Sequence, residues 1–107
     1  MTNSLGEKIR RLRKEKNQTL DKLAELTGSS KSYIWELENK NPPRPSAEKL
    51  AKIAQQLDTT LDYLLDDTGS VSKEESRDVR FYREYRQMDA GTKEKIRQMV
   101  KLWGKTE

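Results

Sequence analysis

The sequence predicts an all-α protein: a five-helix unit over residues 5–66, then a pair of helices over 72–104. Three observations predict it. Apolar residues recur at the 3.6-residue period of an amphipathic helix in one segment after another. A Ser, Thr or Asp precedes most of these segments, where its oxygen caps the free N–H groups of a helix start. No segment carries a strand signal, and there is no internal repeat or low-complexity tract.

The first helix takes residues 5–16, with Leu5, Ile9 and Leu12 on one stripe and Lys8, Arg10, Arg11, Lys14 and Lys16 on the opposite face. Asn17 stops it. Thr19 caps a second helix with Leu20, Leu23, Ala24 and Thr27 inward, and Gly28 supplies the left-handed residue that ends it. Ser29 or Ser30 caps a third, with Ile34 and Leu37 inward; so short a connection makes the two helices cross steeply. Asn41-Pro42-Pro43-Arg44-Pro45 is a stiff extended loop, because each proline fixes its own φ and biases its predecessor away from helix.

Ser46 caps the fourth helix, with Leu50, Ala51, Ile53, Ala54 and Leu57 inward, and Thr59 or Thr60 opens a short fifth through Leu61, Leu64 and Leu65. Residues 66–72 are polar, contain Gly69 and read as a linker. Ser72 and Glu75 fit a capping box for a helix running to about Gln87. On it Val79, Tyr82 and Arg86 share one stripe, and Phe81, Tyr85 and Met88 the next. Asp89 caps the last helix, where Ile96, Met99, Val100 and Trp103 recur at i, i+3, i+4 and i+7.

Composition narrows the function. Of 107 residues, 32% are hydrophobic and 37% charged, so the core is small. There is no His and no Cys, which excludes a Ser-His-Asp triad, a thiol nucleophile, a zinc finger and an iron–sulfur cluster. The lack of Cys fits a reducing, cytoplasmic setting. No apolar run approaches the length of a membrane span, and no signal peptide is visible. Asp58, Asp62, Asp66 and Asp67 lack the ligand alternation of a calcium loop and read as a solvated helix face. Neither enzyme chemistry nor a cofactor or metal is expected. The net charge is +4, and residues 1–16 hold six basic side chains against two acidic ones, a local excess suited to a polyanion.

Two short helices joined by Gly28 and a Ser pair are the core of a helix-turn-helix, whose second member enters the DNA major groove. The stretch Leu20-Asp21-Lys22-Leu23-Ala24-Glu25-Leu26-Thr27-Gly28-Ser29-Ser30-Lys31-Ser32-Tyr33-Ile34-Trp35-Glu36-Leu37-Glu38-Asn39 resembles the XRE family, which contains the lambda-type phage repressors and Cro proteins. The resemblance runs from about Leu5 to Leu65, including Leu61-Asp62-Tyr63-Leu64-Leu65.

It implies a five-helix lambda-repressor-like DNA-binding domain at 1–67, to which the residue pattern adds a linker at 68–72 and a C-terminal helical extension at 73–107. It places Lys31, Ser32, Trp35 and Glu36 against base edges. There Lys can donate to guanine, Ser can bond several bases, and Glu can accept from cytosine N4. It places Thr19, Tyr33, Asn39 and Arg44 at or near phosphates, and Arg10 on the first helix gains a phosphate role from the same placement. For Tyr33 a role as an apolar lid on Ile34 stands equally open. Arg13 and Glu38 match the positions of a partly buried structural ion pair. Two positions depart: Leu20 stands where the family often has Gln, and Trp35 where it usually has a small or polar residue.

The implied function is sequence-specific regulation of transcription from double-stranded DNA, as a homodimeric repressor on an inverted repeat. Phe81, Tyr85, Ile96, Val100 and Trp103 are the expected dimer or partner interface, since amphipathic helices cannot hide so much apolar surface between themselves; packing back on the five-helix domain is the other way to cover them. The alternative is an antitoxin-type protein that binds a co-encoded protein through these helices and regulates its own operon.

Overall fold

Hydroxyl caps decide where this chain turns helical. The computed structural model describes residues 4–40 and 45–104, and the described residues form seven helices and no strand. They are α1 (Leu5–Glu15), α2 (Leu20–Thr27), α3 (Lys31–Asn39), α4 (Ala47–Gln56), α5 (Leu61–Leu65), α6 (Lys73–Arg86) and α7 (Ala90–Gly104). Ser4, Thr19, Ser30, Ser46, Thr60 and Ser72 each accept a hydrogen bond from the N–H three residues on, and Asp89 accepts from Thr92 N at 2.7 Å. Ser30 and Thr60, rather than Ser29 and Thr59, therefore open α3 and α5.

Three helices end alike. Asn17 (φ +57°), Gly28 (φ +68°) and Asp58 (φ +57°) follow α1, α2 and α4 in the left-handed conformation. The next residue then donates back to a carbonyl five positions earlier: Gln18 N to Arg13 O at 3.0 Å, Ser29 N to Ala24 O at 2.8 Å, Thr59 N to Ala54 O at 2.9 Å. This satisfies carbonyls that would otherwise be orphaned and turns the chain sharply. Asp58 is thus a helix terminator, paired to Lys16 at 2.8 Å, rather than part of a solvated helix face.

The helices α1 to α5 enclose one core built on Ile9, Leu23, Ile34, Leu50, Ile53 and Leu64. Ala51 and Lys8 depart from expectation. Ala51 is exposed, because α4 turns only Leu50, Ile53 and Ala54 inward. Lys8 does not lie on the solvated face of α1: it is 1% exposed. Its ammonium donates to Tyr63 O at 2.7 Å and to Asp66 O, and lies 4.6 Å from the centre of the Tyr63 ring. Those carbonyls at the end of α5 are what make burial of a cation tolerable.

The segment expected as a plain linker is an ordered turn. The Asp66 carboxylate accepts from the N–H groups of Thr68, Gly69 and Val71 and from the Thr68 hydroxyl. Val71 packs against the core. Beyond it α6 is held by buried Ser76, by Arg80 Nε donating to Thr59 O at 2.9 Å, and by Lys73 paired to Glu15 at 3.0 Å. The last helix, α7, has no buried residue.

Candidate nucleic-acid interface

The site is assembled from α2, the turn at residues 28–30 and α3. Gly28 suits this place because a φ of +68° costs glycine little and strains most side chains. Thr27, buried, donates its hydroxyl to Leu23 O at 2.8 Å, sealing the end of α2. Ile34 and Leu37 are 0% and 2% exposed and anchor α3 in the core. Helical geometry then fixes the opposite face outward: Lys31, Ser32, Trp35 and Glu36 are all exposed and line one open hollow. Together they present a cation, a hydroxyl, an indole face and a carboxylate to the outside.

Around this face the side chains are lightly held. Lys31 lies 3.8 Å from Asp21, both largely in solvent, so the contact leaves Lys31 available. Lys40 sits 5.7 Å from the centre of the Trp35 ring. Asn39 donates to Trp35 O at 2.9 Å through one of its two amide hydrogens. Thr19 caps α2 and is exposed, as is Arg10 on α1. Tyr33 is half-buried against the core, and burial holds its phenol above the ordinary pKa. Arg44 and the rest of the proline loop at 41–44 lie outside the described residues.

Arg13 and Glu38 meet across α1 and α3. Nε donates to Oε2 at 2.7 Å and Nη2 to Oε1 at 3.0 Å, a two-pronged pair, while Nη1 donates to Gln18 O at 2.8 Å. The side chains are 10% and 2% exposed. Next to this pair the helices nearly touch: a Cβ on Gly6 would lie 2.4 Å from Leu37 O, so only glycine permits the approach.

At the other end, Phe81, Tyr85, Ile96 and Val100 line a shared apolar hollow between α6 and α7, and Trp103 extends it. Phe81 and Tyr85 stack with centroids 6.3 Å apart. Val100 and Trp103 are 62% and 74% exposed. Among the described residues no acidic, His or Cys cluster fit to hold a metal ion occurs, and no helix is long and apolar enough to cross a membrane. Sequence reasoning missed Gly6, Lys8, Lys49 and Tyr63. For Lys8 a signal existed, since it completes the 5, 8, 9, 12 stripe.

An exposed α3 behind a capped α2 and a left-handed turn defines the helix-turn-helix class. The model for the helix-turn-helix domain matches residues 6–70, more than half of the chain, and the protein belongs to that family, in the XRE-type, lambda-repressor-like form. The chain is 38% identical over 63 residues to the HTH-type transcriptional regulator SinR of Bacillus subtilis (strain 168); the match covers 59% of this chain and 57% of the relative. It is similar to the crystal structure of SinR, master regulator for biofilm formation, in complex with DNA: TM-score 0.55, 39% identity, 58% of this chain and 98% of that one. It is also similar to the SinR protein/SinI protein complex, with TM-score 0.57 and 29% identity over 96% of this chain and 99% of that one.

Proposed function

We propose that this protein is a sequence-specific, double-stranded-DNA-binding transcriptional regulator acting as a homodimeric repressor on an inverted repeat. The observation that carries the reading is the single exposed face of α3, where Lys31, Ser32, Trp35 and Glu36 surround one hollow while Ile34 and Leu37 anchor the helix from behind. A relative of the same fold has been solved on DNA, which supports the reading. Residues 1–67 serve as the DNA-binding domain, 68–72 as the connection and 73–107 as the dimerisation element.

In this reading Lys31, Ser32, Trp35 and Glu36 contact bases, while Arg10, Thr19, Tyr33, Asn39 and Arg44 contact or approach phosphates. Base contacts select sequence, whereas phosphate contacts fix register and supply salt-dependent affinity. Pairing through the apolar face of α6 and α7 doubles the site read, with half-sites about one helical turn, roughly 34–36 Å, apart. Repression follows from occupancy of a promoter and requires no chemistry.

The test compares two variants on a panel of duplexes. Glu36→Ala changes the preferred base at one position of the half-site, and Arg10→Ala weakens all sequences alike. An unchanged preference in Glu36→Ala contradicts the groove assignment. A second reading, capture of a co-encoded protein by α6 and α7, is favoured by the likeness over 96% of the chain to a SinR/SinI complex. A tail-dependent complex with the product of a neighbouring gene supports it.

A further inference from the structure

We infer that Lys49, on α4, is the positioning residue that sets the aim of α3 by locking the turn between α2 and α3. The inference rests on the DNA-binding reading of α3. The Lys49 ammonium lies 2.9 Å from Ser29 Oγ, 3.4 Å from Thr27 O and 3.4 Å from Gly28 O. A lysine has three N–H donors, and three acceptors of this turn surround it. Two of them are carbonyls at the end of α2, where the helix dipole favours a cation and where α2 has no basic residue in its own last turn.

The same ammonium lies 5.8 Å from the centre of the Tyr33 ring, on the first turn of α3. One side chain from a third helix therefore grips the end of α2, the turn and the start of α3. Lys31 and Ser32 lie between the two grips, so their direction depends on both. Leu20, packed against the core, offers this turn no donor from its side chain. Lys49 is half-buried.

The experiment uses the full chain as wild type, Lys49→Met and Lys49→Arg. Amide hydrogen exchange at Ser29, Tyr33 and Ile34 is measured on the protein alone. Affinity is measured at several salt concentrations for the duplex that wild type enriches from a random pool. Lys49→Met speeds exchange at these amides and weakens binding on the order of tenfold, the scale of one or two lost hydrogen bonds, with the salt slope unchanged. Lys49→Arg restores most of both. A salt slope reduced by about one with unchanged exchange makes Lys49 a phosphate contact and overturns the inference. So does a lowered Tm with exchange at the turn and affinity both as in wild type. If wild type enriches no duplex, the DNA-binding reading fails, while the exchange data still decide whether Lys49 locks the turn.

Discussion

Arg13 directs three of its donors into the fold, two at Glu38 and one at Gln18 O. Removing one partner of so enclosed a pair strands the other charge. Arg13→Met should therefore lose about 3–5 kcal/mol of stability, read as a fall in Tm. An unchanged Tm contradicts a structural role for the pair. The sequence carried this pair only through its resemblance to the XRE family; nothing in the periodicity joins residues on two different helices. Lys8 shows the reverse. Its position lies on the apolar stripe of α1, but its residue type argues for solvent. What permits burial is a pair of carbonyls at the end of α5, more than fifty residues away, which a local pattern does not contain. Gly6 is similar: its need arises from Leu37 O on another helix.

The elements themselves were legible because local chemistry writes them. A Ser, Thr or Asp stands at each start, a left-handed residue follows α1, α2 and α4, and apolar residues keep the helical period. The connection between α5 and α6 was less so. Its polar composition reads as a linker, but Asp66 followed by Thr68 and Gly69 is also the pattern of a side-chain-closed turn. The hydrogen bond from the Thr68 hydroxyl, then those from the Val71 and Thr68 N–H groups, hold the Asp66 carboxyl down to about 2 from its ordinary 3.8. A carboxyl whose pKa is lowered on folding stabilises the fold above its unfolded value, and that contribution disappears as pH falls through the folded value. The stability gap between wild type and Asp66→Asn should thus be full above about pH 4 and close towards pH 2. A gap that stays constant across this window means the turn does not depend on the charge. Unfolding curves at stepped pH measure it.

At the scale of the whole molecule the protein divides its apolar surface unequally. Five helices bury theirs around one core, while α6 and α7 leave Phe81, Tyr82, Met99, Val100 and Trp103 more than half exposed. Such a face stays in water at a cost, and the proposed dimer on two half-sites would cover it with a second copy. This division was visible in the sequence, because two amphipathic helices cannot satisfy so many large apolar residues by themselves. Which protein surface covers the face is a matter between molecules and is not written in one chain. Enrichment of bound duplexes from a random DNA pool, at low and at physiological salt, tests the proposed dimer that reads an inverted repeat through α3. The expected result is a two-fold symmetric motif that survives at physiological salt, with half-sites about one helical turn apart. Enrichment that vanishes with salt, or a lone half-site, contradicts it.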